Sequence, residues 1–68
     1  MIDKAKIKQR RLKLGYSLTD AAVAAGWGKV GRTRWHDIEA GRRNNLTMRT
    51  IERMAEVLKI KTKDLLGN

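Results

Sequence analysis

The chain has 68 residues, no cysteine and no proline, and its 16 lysines and arginines outnumber its seven aspartates and glutamates to give a net charge of +9. The absence of cysteine excludes disulfides, thiol nucleophiles and cysteine-ligated metals. No apolar run approaches the roughly 20 residues of a membrane span, and the segment from Met1 to Arg11 is too charged for a signal peptide. We therefore expect residues 1–68 to form a single cytoplasmic, nucleoid-associated domain with a polyanionic partner, although ribosomal proteins and membrane-active peptides share this charge.

The first predicted helix begins at about Asp3, a plausible N-cap, and ends at Leu14, with Gly15 following it as the C′ residue. At 100° per residue, the face that this helix turns toward the core carries Ile7, Arg10, Arg11 and Leu14. An arginine on that face requires a partner. Leu12 points elsewhere, either to solvent or to another chain.

The second helix begins at a capping box formed by Ser17 and Asp20, is rich in alanine and ends at Gly26. A turn from Trp27 to Gly31 leads into a third helix, predicted from about Arg32 to Ala40 and ended by Gly41. Its apolar residues, Trp35 and Ile38, are spaced for the core, whereas the position of Trp27 stays open.

Thr47 is expected to cap a fourth helix with the clearest amphipathic pattern in the chain. Its predicted buried stripe consists of Met48, Ile51, Met54, Ala55 and Leu58. Thr62 is expected to cap a short fifth helix that turns Leu65 and Leu66 toward the core and ends at Gly67. No strand pattern occurs, so the predicted fold is all-α with five helices.

The glycines from Gly26 to Gly31 match the GxGxxG pattern of dinucleotide-binding proteins. That pattern works between a strand and a helix, with an acidic residue about 20 positions further on. Here it follows a helix in a chain too short for that fold. We interpret these glycines as turn geometry and expect no cofactor.

The order of these segments carries a resemblance to a known family. The matching segments are Ile7-Lys8-Gln9-Arg10-Arg11, Leu14-Gly15-Tyr16-Ser17, Asp20-Ala21-Ala22, Thr33 to Gly41, and Thr47 through Ile51, Met54-Ala55, Leu58, Ile60 and Thr62 to Leu65-Leu66. Together they resemble the phage-repressor and Cro-type (XRE, lambda-repressor-like) helix-turn-helix family. The resemblance implies a lambda-repressor-like fold in which the second and third helices form the helix-turn-helix. It also implies sequence-specific binding of double-stranded DNA by a repressor-like transcriptional regulator, with the third helix in the major groove.

Two departures from the family pattern are visible. The turn before the third helix is about three residues longer than usual, and Leu18 stands where the family commonly has a DNA-contacting Gln. The longer turn changes the expected angle of the third helix in the groove. Without that Gln, the start of the second helix is left to bind phosphate through Ser17, its free amides and its dipole.

The outward face and flanks of the third helix supply the candidate base contacts, which are Arg32, Thr33, Arg34, His36 and Asp37. The candidate phosphate contacts are Ser17, Lys29, Arg42, Arg43 and Asn44. For each residue, the alternative is an ordinary solvated polar surface. The family resemblance further implies a largely buried, structural ion pair between Arg11 and Glu39.

Residue pattern and composition leave few other functions. His36 is the only histidine and has no companion ligands, so we expect no metal site. The sequence shows no nucleophile–base pair and no carboxylate pair, so we expect neither an enzyme nor a small-molecule substrate. We expect a homodimer on half-sites about one helical turn apart. The alternatives are an antitoxin-like module that masks a partner protein, and a cationic membrane-active peptide.

Overall fold

A computed structural model describes residues 2–43 and 45–66, which contain five α-helices and no strand. In chain order the helices are α1 (Lys4–Lys13), α2 (Leu18–Ala24), α3 (Gly31–Glu39), α4 (Met48–Leu58) and α5 (Thr62–Leu65). The all-α, five-helix architecture predicted from the sequence is confirmed. Asn44 and Gly67, which the sequence analysis assigned to a phosphate contact and to the end of the fifth helix, lie outside the described residues.

The helix ends follow local capping chemistry. The Asp3 carboxylate accepts the Lys6 amide at 3.1 Å, and Ser17 and Asp20 form the reciprocal capping box at the start of α2. At the end of α1, Gly15 adopts φ +77° and lets the chain leave the helix, as glycine does readily at this position. Thr62 is not a cap, contrary to prediction. It is the first residue of α5, and the Asp64 carboxylate accepts the backbone amide of Lys61 before it.

Every helix except α2 contributes one or two large, fully buried side chains to the core. The fully buried ones are Trp35, Ile7, Ile38, Met54, Leu58 and Leu65. Met48, predicted to belong to the buried stripe of α4, is 52% exposed. A helical Cα–Cβ bond tilts toward the N-terminus, so the side chain of this first residue extends beyond the helix end. Thr50 and Val57 are buried in the same helix.

Small residues bring α2 and α3 close together. The helix α2 contributes Ala21 and Ala22 to the interior, and Gly31 at the start of α3 is buried beside it. A Cβ at Gly31 would lie 2.5 Å from the Cβ of Trp27 and 3.2 Å from that of Ala22. This close approach sets the position of α3 on the body of the protein.

The long turn between α2 and α3 is held by backbone hydrogen bonds. Gly26 N donates to Val23 O at 2.9 Å and Trp27 N donates to Ala22 O at 3.0 Å, the two bonds of a Schellman motif. Gly26 and Gly28 have φ values of +81° and +72°. Gly26 and Gly28 therefore serve turn geometry, as predicted, whereas Gly31 belongs to α3. The chain is already helical at Val30 (φ −65°, ψ −20°), which is why α3 begins one residue before the predicted Arg32.

Candidate nucleic-acid interface

The helix α3 has one buried and one exposed face. Trp35 and Ile38 are fully buried against the core, while Arg32, Thr33 and His36 are exposed. The predicted base-contact residues thus divide into two groups, because Arg34 and Asp37 are partly buried at the edges of the exposed face.

Arg34 is held within the protein by Trp27 and Thr50. Its guanidinium carbon lies 4.3 Å from the centre of the Trp27 ring, and Nη2 donates a hydrogen bond to Thr50 Oγ1 at 3.2 Å. The Trp27 ring also packs against Trp35, with ring centres 5.8 Å apart. Arg34 therefore joins the turn to α4. Sequence reasoning missed this role, because the pairing of Trp27 with Arg34 spans seven positions across a turn and has no periodic pattern.

Asp37 and Arg42 are partners of each other. Arg42 Nη1 lies 3.6 Å from Asp37 Oδ1, with Arg42 largely exposed to solvent. An exposed pair of this kind contributes about 0–1 kcal/mol, so Arg42 can exchange its partner at little cost. The pair also offsets the charge of the one acid on the outward side of α3.

The predicted phosphate contacts have different surroundings. Lys29 and Arg43 are exposed, whereas Ser17 is engaged in the capping box. Two hydrogen bonds with Ser17 lower the pKa of the Asp20 carboxyl group, the larger effect coming from the Ser17 backbone amide and the smaller from its hydroxyl. Asp20 is therefore ionised at neutral pH, and a phosphate approaching the start of α2 meets a carboxylate there.

Arg11 and Glu39 form a closed network behind the interface. Arg11 Nε and Nη2 donate to the two Glu39 carboxylate oxygens at 2.6 and 3.1 Å, and Arg11 Nη1 donates to the Tyr16 carbonyl at 2.9 Å. Trp35 Nε1 donates to the same carboxylate at 2.6 Å. The side chains of the ion pair are only 8% and 6% exposed. The network ties the C-terminal end of α3 to α1, so it positions α3 without itself presenting charge.

The positive charge of the protein is mostly left unneutralised. Five of the seven acids are engaged internally, with Asp3, Asp20 and Asp64 in helix caps, and Asp37 and Glu39 in ion pairs. Within residues 2–43 and 45–66, Arg11 and Arg42 are the only basic residues in ion pairs. Two more arginines are held by other contacts, Arg10 by the Leu58 carbonyl and Arg34 by Trp27 and Thr50. The exposed lysines and arginines are available to an anionic partner.

These features define a helix-turn-helix: two short helices joined by an ordered turn, the second with a buried apolar face and an exposed polar one. A family model described as a helix-turn-helix domain matches residues 5–66, and the chain belongs to that family. The phage-repressor and Cro-type resemblance agrees with this membership. Comparisons with curated proteins and with solved structures gave no match.

Family membership indicates DNA binding and a part in transcription regulation, and proteins of this family are typically not enzymes. Among the described residues, no group of three His, Cys, Asp or Glu side chains is arranged to hold a metal ion. In the same part of the chain, every helix is too short or too polar to cross a membrane.

Proposed function

We propose that this protein is a transcriptional repressor that binds operator DNA as a homodimer and lays α3 of each protomer in the major groove. The observation that carries the proposal is the exposed face of α3, with Arg32, Thr33 and His36 opposite the buried Trp35 and Ile38. A major groove about 12 Å wide accepts one helix whose outward side chains reach the base edges.

The side chains of this face suit different bases. Arg32 is free to donate two hydrogen bonds to guanine, Thr33 offers a hydroxyl and a methyl group, and His36 can donate or accept. Asp37 accepts from cytosine or holds Arg42 in place. Arg34 contributes from the edge of the face, where contact with a base replaces its contact with Trp27.

The phosphate contacts are assigned to the exposed cations on both sides of α3, Lys29 before it and Arg42 and Arg43 after it. Ser17 and Asn44 also belong to the predicted set, but the Asp20 carboxylate beside Ser17 opposes a phosphate there. Such contacts fix the register of the protein on the duplex without reading sequence, and each lowers log K by about 0.9 per tenfold rise in salt.

The size of one protomer supports the proposed homodimer. Half-sites one turn apart are separated by about 34–36 Å. The Cα extents of one protomer, 30 × 23 × 19 Å, allow two protomers side by side to present α3 at adjacent turns. Occupancy of such a site blocks polymerase, which is the repression we propose.

Selection of bound fragments from random duplex DNA tests this function. We expect a palindromic consensus with half-site centres about 10 base pairs apart. Arg32→Ala and Thr33→Ala should flatten the consensus at single positions. Arg43→Ala should instead weaken all sequences alike and reduce the salt slope by about 0.9. Lys6→Ala, which removes an exposed lysine outside the predicted interface, is the matched control for charge.

Weak binding indifferent to sequence would contradict specific regulation. A partner protein that co-purifies with the chain, together with no shift of any duplex, would favour the antitoxin-like alternative. A non-palindromic consensus bound by one protomer would remove the homodimer and leave the assignment of α3 intact.

A further inference from the structure

Val30 is an apolar side chain that the fold does not use. It is 88% exposed, the highest value among the exposed large hydrophobic residues of the described chain. It forms no part of the core, and as the residue before α3 it provides no side-chain cap. Neither burial nor capping accounts for a valine at this position.

The backbone holds Val30 in a fixed place at the start of α3. Two turn hydrogen bonds enclose it, from Gly31 N to Gly28 O at 3.0 Å and from Arg32 N to Lys29 O at 3.1 Å. Its dihedral angles are helical, so helix periodicity extends back to it. A β-branched side chain has few rotamers, and Val30 therefore loses little entropy when something packs against it.

Periodicity assigns Val30 to the same face as the predicted base contacts. Val30, Thr33 and Asp37 are related as i, i+3 and i+7, which puts them on one stripe of α3, away from the buried Trp35. The exposed cations Lys29 and Arg32 flank it in sequence. An apolar group with a cation on each side of it in the sequence fits a partner that combines a negatively charged backbone with apolar groups.

We propose that Val30 reads thymine, by packing its methyl groups against the thymine 5-methyl group in the major groove. This inference rests on the proposed function. Residues at the N-terminal end of a recognition helix contact base edges, and the 5-methyl group is the apolar feature that distinguishes thymine there. Val30 thus specifies a base by apolar contact, next to residues that specify by hydrogen bonds.

The test uses the operator obtained by selection and replaces each thymine in turn by deoxyuridine, which keeps every hydrogen-bonding group and lacks only the methyl group. For the wild-type chain, replacement at one thymine of a half-site should raise Kd about fourfold, as expected for one methyl-sized contact. Val30→Ala should bind the thymine and uracil operators equally. Val23→Ala, at an exposed valine of α2, is the matched control and should keep the fourfold difference.

Three results overturn the inference. It fails if no uracil replacement changes wild-type affinity, or if Val30→Ala keeps the full thymine preference. It also fails if Val30→Ala changes the oligomeric state, measured by sedimentation, while the wild type binds thymine and uracil operators equally. Val30 would then pack against a second copy of the chain. If the wild type shows no sequence preference at all, the proposed function itself fails. If it binds a specific operator whose thymine methyl groups do not matter, only the inference about Val30 fails.

Discussion

Glu39→Gln is expected to be severely destabilising. The carboxylate accepts three hydrogen bonds, two from Arg11 and one from Trp35, at a site where the paired side chains are 8% and 6% exposed. A glutamine keeps one acceptor oxygen and turns its amide donors toward the guanidinium, so the Arg11 charge stays buried without a counterion. Stranding one member of a buried pair costs about 3–5 kcal/mol. A chain of this length typically has about 3–10 kcal/mol of stability in total, so this variant should be close to unfolding at 25 °C.

Urea denaturation followed by far-ultraviolet circular dichroism measures this loss. The companion variants are Arg11→Met and the double variant Arg11→Met with Glu39→Gln, which should cost clearly less than the sum of the single changes, because no unpaired charge remains. Asp37→Asn, which breaks the exposed pair with Arg42, is the control and should change stability by less than about 1 kcal/mol. An unfolding midpoint for Glu39→Gln equal to that of the wild type would refute the reasoning.

Four further predictions concern stability. Gly31→Ala should cost about 1–3 kcal/mol in denaturation, because the new Cβ meets the Trp27 Cβ at 2.5 Å and the Ala22 Cβ at 3.2 Å. An unchanged unfolding midpoint would contradict the close packing of Gly31 against the turn and α2. Lys59→Gly should stabilise the fold by about 1 kcal/mol, because Lys59 has φ +58°, a conformation that costs glycine little. Lys59→Ala should give no such gain. Equal gains for both variants would mean that removal of the lysine charge, and not backbone strain, is the cause. Arg34→Ala should lower the melting temperature of the free protein, because it removes the contacts of Arg34 with Trp27 and α4. Arg34→Lys should recover only part of the lost melting temperature. If Arg34 served only to contact DNA, neither variant would change it. The pKa of Asp20 is lower in the folded than in the unfolded protein, so its ionised carboxylate stabilises the fold above the unfolded pKa. This contribution to the free energy of unfolding should be lost as pH falls below about 4. An NMR titration that gives Asp20 an ordinary pKa would contradict this.

Most of the caps, though not the one at α5, and the main core residues could be predicted because their signals are local. The capping box of Ser17 and Asp20, the glycine after α1 and the spacing of Trp35 and Ile38 depend on residues within one or two turns of one another. The Arg11–Glu39 pair spans 28 positions and was suggested only by the family resemblance.

The details of the interface depend on contacts that no local pattern records. Arg34 contacts Trp27 and Thr50, which lie on different elements, and its assignment as a free base-reading residue did not anticipate them. Met48 continues the apolar spacing of α4, but a periodicity does not show where the helix leaves the core. Val30 belonged to a predicted turn, so its helical backbone and exposure become visible only in three dimensions.

The contact between the Trp27 and Trp35 rings, with Arg34 over the first of them, has a spectroscopic consequence. The chain has two tryptophans, Trp27 in the turn and Trp35 in α3, with ring centres 5.8 Å apart. Tryptophan emission from this protein is therefore emission from the helix-turn-helix alone. Because the Arg34 guanidinium lies over the Trp27 ring, an unlabelled fluorescence titration reports any change of that contact when the protein engages its partner.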